Sequence, residues 1–179
     1  NRFEIGYKLG WSNGSLTTSI YHNSVDATIT RIATIVPGNT LIYNIFQNAG
    51  KSSATGTETF FLQEFSKSFT ANLSGALYHN IINAFTINNK YPVPTIYSIE
   101  ETFITSGNLK ANLFFKLPGK TDLQLTAIWL APDIIPQGRI ESRFSMDLGV
   151  KKQIQKGKGE LFLNATDLFN TLVLTKVII

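Results

Sequence analysis

The sequence predicts an all-β fold, an antiparallel up-and-down meander of about eight long strands. Three observations carry that expectation. Long stretches alternate apolar and polar residues at the two-residue period of a strand with one apolar and one polar face. Phe is abundant, Ser, Thr and Asn are plentiful, and no segment is dominated by the helix formers Ala, Glu, Lys, Leu and Gln. Short turns alternate along the chain with longer loops.

In the first strand Phe3, Ile5, Tyr7, Leu9 and Trp11 share one face and Glu4, Gly6, Lys8 and Gly10 the other. Ser12-Asn13-Gly14 predicts a short hairpin, since Asn and Gly tolerate the positive φ of a type I′ turn. Leu16, Thr18 and Ile20 carry the apolar face onward, and the β-branched run Ala27 to Ile32 extends the same strand to a loop at Val36 to Thr40. Leu41 to Phe65 reads as one long strand with an irregular, bulged middle around Gly50 and Gly56. After a turn at Ser66 to Ser68, Phe69, Ala71, Leu73, Gly75 and Leu77 set the outward face of a strand running to about Asn83.

The stretch from Thr86 to Tyr97, with Pro92 and Pro94, reads as a loop, because prolines cannot serve a sheet interior. Leu109, Ala111, Leu113, Phe115 and Leu117 then form one side of a hairpin that turns at Pro118 to Lys120 and returns through Leu123, Leu125, Ala127 and Trp129. A loop from Ala131 to Arg139 precedes the strand bearing Phe144, Met146, Leu148 and Val150. The turn after it, Gln155 to Gly159, supplies glycines for positive φ, and Leu161, Leu163 and Ala165 mark the last alternating strand.

The 179 residues suit a single domain, 1–179. The net charge of +4 is spread over scattered Lys and Arg that twelve acids partly offset, which describes a solvated surface and not a nucleic-acid patch. With no cysteine, disulfide scaffolds and thiol chemistry are excluded. No run reaches the roughly eighteen apolar residues of a membrane-spanning helix. A membrane β-barrel remains open, because alternating strands average to a mean hydropathy near the observed +0.04.

Short turns on one rim and longer loops on the other are the asymmetry of outer-membrane barrels, and strands of about ten to twenty residues exceed the globular norm. Trp11, Phe65, Phe69 and Phe115 all fall near short turns, where an interfacial girdle places its rings. The same periodicity also fits a soluble lipocalin-like barrel binding an apolar ligand inside, or a β-sandwich interaction module. Orientation separates them: in a membrane barrel Phe3, Leu109, Leu113, Leu123 and Leu163 point outward, and Glu4, Lys8, Asn108, Lys110, Asn112 and Gln124 line the lumen.

No enzyme emerges, and no catalytic, cofactor or metal residue is assigned. His22 and His79 lie on different predicted strands without an HExxH-like pair. Glu100 and Glu101, taken as adjacent strand residues, point to opposite faces and do not converge on a substrate. Gly157-x-Gly159 has no following helix to hold a phosphate, and there is no GxSxG elbow. Asp147 and Asp167 are expected to fix strand ends through hydrogen bonds.

Asp167-Leu168-Phe169-Asn170-Thr171, preceded by the strand Ser145 to Gly149, resembles the C-terminal part of TonB-dependent outer-membrane receptors and is most similar to the outer-membrane β-barrel family common in Bacteroidetes. Pro136-Gln137-Gly138-Arg139 resembles the family's Pro-Gln-Gly, Asn48 to Lys51 with Gly56 and Glu58 its Asn-x-Gly-Lys and Gly-x-Glu segment, and Glu4 to Lys8 an earlier strand. The resemblance covers nearly the whole chain in the expected order. It implies a barrel-wall fragment of a transporter that imports an iron chelate, vitamin or glycan, with outer-membrane lipid and a TonB-type energy-coupling protein as partners. A plug domain, an energy-coupling box and a final aromatic-ended strand are missing from the pattern, and both ends look cut from something longer. An isolated eight-strand segment would close into a smaller barrel or pair its open edges with another copy.

Overall fold

The computed structural model describes residues 1–36, 38 and 41–178. Eight strands form one antiparallel sheet in the order β1 (Arg2–Trp11), β2 (Gly14–Ile35), β3 (Ile42–Ser66), β4 (Phe69–Ile82), β7 (Thr102–Leu117), β8 (Thr121–Leu130), β11 (Arg143–Ile154) and β12 (Gly159–Ala165). Every step in the sheet joins chain neighbours or steps over a loop hairpin, so the meander is uninterrupted. The expected all-β architecture and its eight long strands are present.

The long loops hold structure of their own. The stretch expected as a plain loop at Thr86 to Tyr97 is largely a hairpin of β5 (Phe85–Asn89) and β6 (Thr95–Ile99), with both prolines in its turn. The Ala131 to Arg139 loop contains β9 (Asp133–Ile135) and most of β10 (Gly138–Ile140), and β10 also pairs with β13 (Lys176–Ile178). These strands of three to five residues are too short to generate a readable two-residue period. Of the loop expected at Val36 to Thr40, Pro37, Asn39 and Thr40 lie outside the described residues.

Local geometry departs from expectation at three places. Ser12 and Asn13 connect the paired Trp11 and Gly14 without the positive φ that a type I′ turn needs. In the irregular middle of β3, Gly50 does take φ +46° and faces Ala27 at φ 57°, so β2 and β3 kink together while their register continues unchanged. Gly56 lies in regular pairing, and the register shift falls instead between Glu64 and Ser66. At the last turn Gln155, Lys156 and Gly157 all take positive φ, while Gly159 begins β12.

Asp147 and Asp167 do fix the end of the meander. The Asp167 N–H donates to Asp147 Oδ1 at 2.9 Å, and the Asp167 carboxylate accepts the N–H groups of Thr171 (3.0 Å) and Leu172 (3.1 Å). Thr171 Oγ1 donates to the Phe144 carbonyl, and Phe169 stacks near Phe144. The Asp-Leu-Phe-Asn-Thr motif is thus a knot that turns the chain back over β11.

The sheet does not close. β1 and β12 are its terminal strands and do not pair with each other, so the expected smaller closed barrel is not formed. Among the described residues no second sheet covers the apolar face, as a lipocalin-like barrel or a β-sandwich would need. Phe3 and Leu163 are 73% and 64% exposed on that face, far from the burial a soluble core would give them.

A candidate membrane-facing wall and a strapped polar face

Strand register fixes which side chains share a face. Following the pairing from β1 to β12, Tyr7, Thr18, Thr59, Gly75, Leu109, Trp129 and Phe144 occupy one row on one side of the sheet. The same side carries Phe3, Leu113, Leu123 and Leu163. The other side carries Glu4, Lys8, Asn108, Lys110, Asn112 and Gln124, so every residue chosen to test orientation falls where a membrane barrel requires. Between the hairpin tips and the row of His22, Thr55 and His79, Lys152 alone brings a charge to the apolar side among the described residues, and it stands beside a turn.

The register also gives the strand tilt. A single cross-strand row joins Trp11, Gly14, Gln63, Ala71, Leu113, Leu125, Leu148 and Ala165. The last pair of the first hairpin, Trp11 with Gly14, lies on this row. Phe69, Leu117 and Ile154 at the next three tips lie about two, four and six residues beyond it. One residue of stagger per strand, at a rise of about 3.3 Å and a strand spacing of about 4.8 Å, is an inclination of about 35°. That is the tilt of transmembrane barrel strands.

Heights measured from the tilted line of tips give a band of the right thickness. Phe3 stands eight residues above Trp11, and Trp129 eight above Thr121, so the apolar side is about 22 Å tall at this inclination. Its lower margin is aromatic. Phe65, Phe69 and Phe115 stack in sequence at centroid separations of 5.2 and 4.8 Å, and Trp11 lies 6.2 Å from Phe61. Trp129 and Phe144, opposite one another in register, stand at the upper margin.

Polar groups on this side are satisfied within the sheet, as a medium without water demands. Thr18 Oγ1 and Thr59 Oγ1 are 3.1 Å apart, and Thr57 donates to the Ser19 carbonyl at 2.9 Å. His22 and His79, which the sequence places on different strands, pair through Nδ1 with Thr55 (2.7 Å) and Thr105 (3.1 Å). Among the described residues no cluster of three His, Cys, Asp or Glu could hold a metal. Glu100 and Glu101 lie between β6 and β7, outside any strand, so strand alternation does not govern them, and Glu101 accepts a bond from Asn83 Nδ2 at 3.0 Å.

The polar side is organised by ion pairs and by a strap. Arg2 reaches Glu4 (3.1 Å) and Glu58 (3.6 Å) and lies over the Tyr21 ring, while Lys151 reaches Asp122 and Glu160. Near the long-loop end the segment β9–β10 crosses this side. Tyr78 Oη and Asn80 Nδ2 donate to Asp133 at 2.7 and 3.3 Å, and Tyr97 Oη donates to the Pro136 carbonyl at 2.9 Å. Burial pushes the Tyr97 hydroxyl pKa up, keeping it a donor.

Gln137, in the motif already singled out, clasps the main chain of Ala33. Its Oε1 accepts the Ala33 N–H at 2.8 Å and its Nε2 donates to the Ala33 carbonyl at 3.2 Å, as a neighbouring strand would. The sequence marked Pro136 to Arg139 as a motif, but neither this clasp nor the Tyr78–Asp133 bond carries a sequence signal, since each joins residues far apart in the chain. Gln137→Ala leaves both Ala33 groups unpaired and is expected to loosen the strap by about 1–2 kcal/mol. Faster amide exchange at Ala33 and faster proteolysis within 131–142, with the eight-stranded sheet unchanged, is the expected readout; unchanged exchange would refute the clasp.

A model of the outer membrane protein beta-barrel family matches residues 1–177. Searches of curated proteins and of solved structures give no significant match. The family match spans almost all of a chain whose strands tilt, alternate and turn as a barrel wall does: the chain belongs to the outer membrane protein beta-barrel family, and its location is the outer membrane.

Proposed function

We propose that this chain is part of the barrel of a TonB-dependent receptor that imports a scarce nutrient, an iron chelate, vitamin or glycan, and performs no covalent chemistry itself. The observation that carries the reading is the charged side of a sheet that eight strands leave open. A closed eight-stranded barrel has an interior that side chains fill. Glu4, Lys8, Glu58, Lys110, Asp122 and Lys151 together on one side instead suit the watery lumen of a wider barrel, with lipid against the other side. The resemblance of Asp167 to Thr171 and of Pro136 to Arg139 to receptor motifs supports the finer assignment, in which a TonB-type protein supplies the energy.

On this reading β1 and β12 pair with further strands of the same wall, and without those strands the exposed edges make the isolated chain self-associate. Long loops face the cell exterior, and the short turns face the periplasm.

The test is nutrient uptake. Cells lacking the gene are grown with an iron chelate, cobalamin or an oligosaccharide as the limiting source, with the energy-coupling protein present or deleted. Loss of uptake of one source, equal in the two deletions and not additive, is expected. Uptake of all three unaffected by the gene, or affected with the coupling protein already absent, would sink the transport reading.

A further inference from the structure

A cavity of about 730 Å³ opens at the long-loop end of the polar side, between the kinked extension of β2 and β3, the β4 end, β5 and the strap. Its size is that of a small-molecule site. All its charged lining residues are cations: Arg31, Lys51 and Lys176. Lys51 is 3.2 Å from Asp26, whereas Arg31 and Lys176 have no acidic partner among the described residues. The nearby Asp133 carboxylate is already occupied by Tyr78, Asn80 and the Ile134 N–H. Ile82, Phe85 and Ile135 supply an apolar surface beside the cations.

The cavity is built before any ligand arrives. The Gln137 clasp on Ala33 and the Tyr97 bond to Pro136 hold its strap wall, and the positive φ of Gly50 opposite Ala27 sets its floor. A Cβ at position 50 would come within 2.8 Å of Phe85 Cδ1, so this glycine lets the hairpin ring close the base. Such fixed walls reduce the ordering cost of binding.

We propose that this cavity binds a small anion with an apolar body of about one or two rings, its charge met by Arg31 and Lys176 and its body by Ile82, Phe85 and Ile135. The proposal names a ligand class for the receptor reading above and rests on it for the direction of entry. A free carboxylate and a phosphate share the recognising chemistry.

The test uses the protein purified from outer membranes in detergent and titrated calorimetrically with 2-naphthoate, 2-naphthyl phosphate, neutral 2-naphthamide and acetate. Naphthoate or naphthyl phosphate is expected to bind at least tenfold more tightly than naphthamide and acetate, and whichever of the two is tighter identifies the anion. In R31Q/K176Q the anion affinity is expected to fall about tenfold, with naphthamide unchanged and unfolding of the barrel on heating unaltered. A Lys116→Gln control at the opposite rim should bind as the parent does. Equal affinity for naphthoate and naphthamide, no binding at millimolar probe, or no loss in R31Q/K176Q would overturn the site. Charge-dependent binding without energy-dependent uptake keeps the site and overturns the transport reading; uptake without charge-dependent binding does the reverse.

Discussion

Leu125→Arg is expected to destabilise the folded wall in a bilayer by about 2–4 kcal/mol, while Gln124→Arg, one residue away, changes it by less than about 0.5 kcal/mol. Leu125 faces the apolar side, directly opposite Leu113 on β7 and Leu148 on β11. It stands four residues above the tip at Thr121, close to the middle of a band eight residues tall. A guanidinium there meets neither water nor a counter-charge, because the cross-strand neighbours are leucines. Gln124 points to the other side, toward Phe114 and Gly149, and is exposed. Urea titration of the protein in lipid vesicles measures both variants. Equal effects at the two positions would refute the assignment of faces, since a one-residue offset in a strand is a change of face and nothing else.

The faces were legible in the sequence because they rest on a local rule. Phe3 to Trp11 alternate without a fault and Leu109 to Leu117 with one, Phe114 on the polar side, and each such run fixes its own orientation to the sheet. The aromatic margin at Trp11, Phe65, Phe69 and Phe115 followed from the turns beside it. What stayed hidden depends on contacts between distant segments. The ring of Phe85 over Gly50, the Gln137 amide on Ala33 and the Tyr78 hydroxyl on Asp133 create the cavity wall, and no periodicity announces them. Hence Gly50 could be marked as irregular without its purpose being visible. Arg31, Lys51 and Lys176 meet at one cavity for the same reason: the chain brings them together only through β3, β13 and the kink. The closed small barrel failed as an expectation because β1 and β12 do not pair, and whether two edges far apart in the chain meet is encoded by no local period; the stagger itself is that of any barrel wall.

Gly56→Val is expected to cost about 3 kcal/mol or more, against less than about 0.5 kcal/mol for Gly10→Val. Both glycines lie on the polar side, and neither has a positive φ, so backbone freedom does not distinguish them. Space does. A Cβ on Gly10 would have nothing within 4 Å, whereas one on Gly56 would lie 2.5 Å from the Leu77 carbonyl oxygen and 2.6 Å from Tyr78 Cβ. The nearest obstacle is main chain and cannot rotate away, so β3 and β4 must separate. Gly56 is opposite Tyr21 on one neighbour and Tyr78 on the other, and the absence of its own side chain lets β4 come close there. Tyr78 in turn donates to Asp133 on the strap. Displacing it therefore propagates to the cavity wall, and Gly56→Ala should already raise proteolysis within 131–142 even if the barrel stays folded. Denaturant titration of the two valine variants, with proteolysis of Gly56→Ala, decides the matter: matching midpoints for Gly56→Val and Gly10→Val would mean that the close approach of β3 and β4 contributes nothing to stability.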